Sequence, residues 1–158
     1  MFVRIALLAT VVGLAGCDVV EEVQPTEGVP FTFSTVRVEG LRLAPTRNRE
    51  WDEDGTTADV FIEIQNAAGA TLAQSGTAAN ADLTQPLEFT FEQPGEAPSV
   101  TSSLFVVAFD NDGDRFDSET MGSSVPFSLS DVPVSGGEVV LADIRSDRGR
   151  EATYTIVR

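Results

Sequence analysis

"SLFVVAFDNDGDRFDSETMGSSVPFSLS", residues 103–130, decides how this chain folds. It opens on Leu104, Phe105, Val106, Val107, Ala108 and Phe109, a short run apolar on both faces. Such a run suits a central strand better than an amphipathic helix. Asp110, Asp112, Asp114, Asp117 and Glu119 then place five acidic residues in ten. Beyond them, Val125, Phe127 and Leu129 alternate with Pro126, Ser128 and Ser130, which predicts another strand over "SVPFSLS". Strand, acidic connection, strand describes one antiparallel step in a sheet.

The same period of two recurs outward from this stretch. In "DVFIEIQ" (59–65), Val60, Ile62 and Ile64 share one face; Asp59, Phe61, Glu63 and Gln65 share the other. In "PLEFTFEQ" (86–93), Leu87, Phe89 and Phe91 face inward and Glu88, Thr90 and Glu92 outward. "FTFSTVRVEGLRL" (31–43) contains the first strand. "ATLAQSG" (70–76) is a weaker strand expected to pair back on "VFIEI" across residues 66–69. "GEVVLADI" (137–144) and "ATYTIVR" (152–158) close the chain, joined by a polar, Arg-rich turn. About eight short strands with turn residues between them, and no convincing helix, predict an all-β, eight-stranded antiparallel β-sandwich.

The N-terminus is of another kind. Arg4 precedes an apolar run, residues 5–14, too short to span a bilayer, and "LAGC" ends at Cys17. Charge, apolar run, small residues and cysteine fall at the spacing of a bacterial lipobox, so the pattern resembles a lipoprotein signal (residues 1–17). That resemblance implies a mature chain beginning at lipidated Cys17, carrying acyl (palmitate-type) chains that anchor it stably to the cell envelope, at the inner or outer membrane. Residues 18–30, "DVVEEVQPTEGVP", read as an acidic tether, and 31–158 as the single folded domain.

Composition narrows the function classes. There is no His and no Lys, all ten basic residues are Arg, and Cys17 is the only cysteine, so the domain has no disulfide. Losing Arg4 with the signal leaves nine basic residues against 25 acidic ones, a net charge of −16. Nucleic acid is excluded as a partner on that balance. Docking on anionic lipid by charge alone is equally disfavoured. The acidity suits a salt-rich, halophile-like habitat. The usual nucleophile–base pairs are missing, so an enzyme is not expected.

The acidic stretch itself nearly satisfies a helix–loop–helix calcium loop. With Ala108 as position one, Asp110, Asp112, Gly113 and Glu119 fall at three, five, six and twelve. The first ligand is missing, and strand-forming flanks leave no helix pair. The ligand chemistry survives, because clustered carboxylates suit a hard cation. One loop rarely fills a shell of six to eight oxygens. A second acidic stretch, "NREWDEDGTTAD" (48–59), stands directly before "VFIEI". At 25 acids in 158 residues, ten positions should hold one or two, whereas these stretches hold five in ten and four in the five residues 50–54. Average composition does not account for that.

Over residues 36–132 the order of these pieces resembles a C2 domain. Asp59 matches the Asp before the family's Asp-Pro-Tyr-Val strand, with Val60 and Phe61 in place of its Pro and Tyr. Gln85 and Pro86 stand at an Asn-Pro. Asp110 and Asp112 match an Asp-x-Asp pair, and Met121-Gly122 an Ile-Gly, with Glu119 as the closing acid. The third loop is one residue longer than the family's usual spacing before the closing acid, so Asp117 competes with Glu119. In the first loop the usual spacing lands on Glu53, between Asp52 and Asp54. The resemblance implies a Greek-key sandwich in the permuted (type II) topology, with the last two strands filling the remaining positions. It implies Ca²⁺ held by Asp52, Asp54, Asp59, Asp110, Asp112, Asp117 and Glu119.

Two acidic loops at one end of a sandwich would repel by roughly 4 kcal/mol per pair at about 4 Å and an effective dielectric of 20. Carboxylates so placed take up protons, splay apart, or bind cations. The expected function is a lipid-anchored, monomeric binding or adaptor module whose Ca²⁺ orders its loops or bridges to a lipid or protein partner. The alternative is a structural envelope sandwich without metal. Arg115 and Phe116 would sit at the tip of the third loop, where Phe116 is expected to pack over the end of the sandwich. Trp51 is expected to cap the same end.

Overall fold

The computed structural model describes residues 27–42, 51, 57–112, 118–134, 136–144 and 152–158. These form ten strands: β1 (Val29–Phe31), β2 (Thr35–Glu39), β3 (Val60–Asn66), β4 (Thr71–Gln74), β5 (Leu87–Phe89), β6 (Gly95–Ala97), β7 (Leu104–Asp110), β8 (Glu119–Ser123), β9 (Glu138–Ala142) and β10 (Thr153–Val157). Eight make two four-stranded sheets, ordered β5-β2-β10-β9 and β4-β3-β7-β8, with every pairing antiparallel. The last two strands complete the first sheet, β10 lying between β2 and β9. No helix occurs among the described residues. The all-β antiparallel reading therefore holds.

The inward faces supply the core. Val36 and Val38 of β2, Tyr154 and Ile156 of β10, Ile62 and Ile64 of β3, and Leu104 and Val106 of β7 are all buried and belong to one cluster. At the end where β2 begins, Phe33 packs against Phe31, Phe91 and Phe127 at ring separations of 5.0, 6.4 and 6.2 Å. β4 folds back on β3 as expected, through a turn that Asn66 organises: its Oδ1 accepts from the N–H groups of Ala68 and Ala70, and Gly69 takes φ 77°.

Four features depart from the sequence reading. β1 begins at Val29, inside the stretch assigned to the tether, and pairs with β6, a strand the alternation did not reveal. The strand expected over "SVPFSLS" is instead β8, earlier in the chain. Pro126 lacks a ladder donor, and only isolated bridges join Phe127 to Leu104 and Ser124 to Asp143. Ser128 and Asp131 close a turn, the Ser128 N–H and hydroxyl both donating to Asp131 Oδ2 at 2.8 Å. The outer face of β3 is not solvated. Phe61 is buried and stacks on Phe109 at 5.3 Å, and Glu63, only 4 % exposed, accepts from Thr71 Oγ1 (2.6 Å) and Gln65 Nε2 (2.8 Å). A buried carboxylate is tolerable only with such donors.

Tyr154, the only tyrosine, is wholly buried, and its hydroxyl makes no hydrogen bond among the described residues. Burial first, then the charge of Asp143, pushes the phenol far above its ordinary range. Unfolded, it ionises near pH 10; folded, it stays neutral. A pKa raised by folding lends stability that is complete below about pH 10 and drains as pH rises further. In an alkaline titration, tyrosinate absorbance should appear together with loss of the fold, as one transition. Reversible ionisation near pH 10 in chain that is still folded would contradict this burial.

Candidate functional site

The register of the second sheet brings the acidic connections together. Asp110, the last residue of β7, pairs with Val60 on one side and with Glu119, the first residue of β8, on the other. Asp59 therefore stands one step from Asp110 in the neighbouring strand. Two hydrogen bonds fasten them: the Asp59 N–H donates to Asp110 Oδ1 and the Asn111 N–H to the Asp59 carbonyl, each at 2.9 Å. Asp110 continues the inward row of Val106 and Ala108 and is fully buried. Glu119, directly opposite, is half-buried, and Asp112 is exposed. Like charges directly opposite across strands destabilise a sheet unless something compensates them. The pairing also shifts register between Ala108 and Phe109, making Met121 an extra residue on β8. A bulge here re-aims the start of β8 at the edge of the acidic connection.

A third connection, which the sequence reading missed, joins the other two. Ala78 bridges Val60, and the Ala81 N–H donates to the Ala58 carbonyl. Asn80, at φ 50°, directs its own N–H onto Asp59 Oδ1 at 2.7 Å. The one signal was an Asn in a short polar stretch, a residue that tolerates positive φ. In the same connection Asp82 caps a turn: the Thr84 hydroxyl, then its N–H, holds the carboxyl below its usual range. Trp51 is buried in the core cluster, and its Nε1 donates to the Arg42 carbonyl at 2.9 Å. It belongs, as expected, to the connection between β2 and β3.

Of the seven candidate ligands, then, Asp59, Asp110, Asp112 and Glu119 stand at one end of the second sheet, in or beside the acidic connections. Asp52, Asp54 and Asp117 lie outside the described residues, as do Cys17, Arg115 and Phe116. Among the described residues, no three acidic side chains are grouped closely enough to hold an ion. The donor set is nonetheless all oxygen, and Asp110 Oδ1 and Asp59 Oδ1 each accept a backbone N–H. An all-oxygen donor set is the kind that a hard cation takes.

At the far end of β8, Gly122 allows a close approach. A Cβ there would lie 2.6 Å from Tyr154 Oη and 2.8 Å from Asp143 Oδ2. The glycine is required because a side chain of the first sheet fills the space where its own would stand.

Comparison with known proteins gives similarity in fold only. No family model and no curated protein matches this chain. Among solved structures, the chain is similar to one described as the structure of a C2 domain, at 12 % identity and a TM-score of 0.48, covering 79 % of this chain and 92 % of that one. It is also similar to a C2 domain, the one lettered A, of plant extended synaptotagmin 1, at 17 % identity and a TM-score of 0.42, covering 80 % and 94 %.

Proposed function

We propose that this chain is a lipid-anchored envelope module whose β-sandwich takes up Ca²⁺ at the end where its acidic connections meet. One observation carries the reading. Asp59 and Asp110, from stretches 51 residues apart, are fastened together by the Asp59 N–H on the Asp110 carboxylate, with Glu119 opposite Asp110 across the ladder. Asp59, Asp110, Asp112 and Glu119 would form one wall of the site, and Asp52, Asp54 and Asp117 would complete it. A bound cation supplies charge neutralisation, letting the connections stand close without mutual repulsion. Asp110 Oδ1 and Asp59 Oδ1 hold their loops through backbone N–H groups, so the base of the site is positioned before any ion arrives.

At an affinity of ~10⁻⁴–10⁻³ M, about 10 mM calcium adds about 1.4–2.7 kcal/mol of stability. That corresponds to a rise of roughly 4–10 °C in melting temperature for a domain of this size. Asp110→Asn with Asp112→Asn should abolish most of the rise. Trp51, the single tryptophan, should report the same titration by its fluorescence. The second reading, a metal-free structural sandwich, rests on the absence of a three-acid group among the described residues and on the backbone N–H groups already served by Asp59 and Asp110. No rise at millimolar calcium would decide for it.

A further inference from the structure

We propose that the open edge of β9, at Glu138 to Val140, takes up an extended basic segment of another protein as an added strand of the first sheet. Neither calcium nor the anchor is needed for this. β9 ends the sheet β5-β2-β10-β9 and is paired along its length only to β10. The Asp143 N–H donates to the Ala152 carbonyl at 2.9 Å, which makes these two a hydrogen-bonded pair. In an antiparallel ladder such pairs alternate with pairs that are not hydrogen-bonded. Leu141 and Val139 therefore turn their backbone groups toward β10, and Ala142, Val140 and Glu138 turn theirs outward. The upper part of this outward edge already holds a strand. Ser124 bridges Asp143, the Val125 N–H donates to the Ala142 carbonyl, and the Ile144 N–H donates to the Ser123 carbonyl, both at 2.8 Å. Pro126, which has no N–H, ends that pairing, and the chain turns to Leu104. Below it, the outward N–H and C=O groups of Val140 and Glu138 meet no backbone partner among the described residues.

The other edges are blunted. β4 carries a bulge and lies against β6, β8 carries the bulge at Met121, and β5 is three residues long and follows Pro86. Bulges, prolines and short length are how native sheets block added strands. β9 has five residues, with no bulge and no proline. Of the four exposed large hydrophobic side chains among the described residues, three lie on β9 or beside it: Val134, Val140 (61 % accessible) and Ile144 (54 %). Val140 and Ala142 share the outer face, and an added strand would cover Val140 with its own side chains. Main-chain bonding at an open edge, with a side chain to cover beside it, is how an extended segment is recognised. Charge selects which segment. Glu138 is exposed on the same face as Val140, and Arg37, which shares the row of Val140 and Thr155, is held by Glu39 at 2.6 Å. The whole chain carries a net charge of −15, which draws in a basic segment and repels an acidic one. The same charge disfavours a second copy, which would set two such chains, and their two Glu138 side chains, edge to edge.

Amide hydrogen exchange, read by NMR on the chain from Cys17 onward, tests this with the probe acetyl-Arg-Thr-Val-Thr-Val-Arg-amide. In the free protein the Glu138 and Val140 amides should exchange quickly, and those of Val139 and Leu141 should be protected. Probe at about 1 mM, acting on a site of ~0.1 mM affinity, should slow both outward amides about tenfold. The same probe with proline for both valines, or with glutamate for both arginines, should leave them unchanged. In the protein, Val140→Pro removes an outward N–H and leaves the β10 ladder alone, a placement that edge strands tolerate. It should abolish the response. If that variant does not fold, the proline probe asks the same question of the intact protein. Outward amides already protected in the free chain would overturn the proposal, since the edge would then be covered by the chain itself or, where protection rises with protein concentration, by a second copy. No slowing by the basic probe, equal slowing by the acidic or the proline probe, or a response that survives in Val140→Pro would also overturn it. Each result should be the same in calcium and in chelator, so failure of calcium binding sinks the preceding reading and leaves this one standing.

Discussion

Asp110→Asn should change the sign of its effect with calcium. Without the ion, the variant should be as stable as the wild type or slightly more so. The amide keeps an oxygen to accept the Asp59 N–H, and it removes one charge from a fully buried position facing Glu119. At about 10 mM calcium the variant should be less stable by up to about 1.4–2.7 kcal/mol, because it loses the linkage that the wild type gains. Asp110→Ala separates the second role of this residue. It orphans the Asp59 N–H as well, which should add about 1–3 kcal/mol of loss in both conditions, on top of the calcium linkage lost when the ion is present. Paired thermal melts of the three proteins, with calcium and with chelator, give the pattern. Equal loss for Asn and Ala irrespective of calcium would make Asp110 a structural cap and nothing more.

Gly122→Ala should be the most damaging single-methyl change on β8. The added carbon meets Tyr154 Oη at 2.6 Å and Asp143 Oδ2 at 2.8 Å, both below ordinary contact. Asp143 is only half-buried and can swing away, whereas Tyr154 is fully buried and cannot. Overpacking of this kind costs about 1–3 kcal/mol. The control follows from the geometry. Tyr154→Phe removes the clashing oxygen, so the double variant should recover a good part of the loss, a coupling that independent sites would not show. Additive losses would mean that the clash is relieved elsewhere. If Gly122→Ala fails to express folded, the same double variant still decides, because recovery of a folded protein is itself the predicted coupling.

What the sequence made legible follows from how each element reaches its burial. β3 and β7 were readable because both are central strands, one alternating cleanly and one apolar throughout. β8 was not, because its stretch "ETMGS" carries an extra residue at Met121 and a glycine forced by Tyr154, which break the period of two. Phe127 and Leu129 alternate like a strand, yet they are buried as the floor of the sandwich beyond a proline. β1 and β6 are three residues each, too short to show a period. On β3, Glu63 reads as solvent-facing until Thr71 and Gln65 are seen to cover it, a contact made across a hairpin. At the candidate site, the meeting of Asp59 with Asp110 was legible from strand order, since each stands at the end of a strand that pairs with the other. Asn80 was not, because it acts through a backbone N–H that any residue carries.

The central claim is that one ion is shared between the two acidic connections, and a crystal structure grown with calcium tests it most directly. An ion at about 2.3–2.6 Å from carboxylate oxygens of both Asp59 and Asp110, its shell completed from residues 52–54 or 112–119, is the predicted result. Crystals saturated with calcium in which the Asp59 and Asp110 carboxylates keep their present backbone partners, with no ion between them, would contradict it.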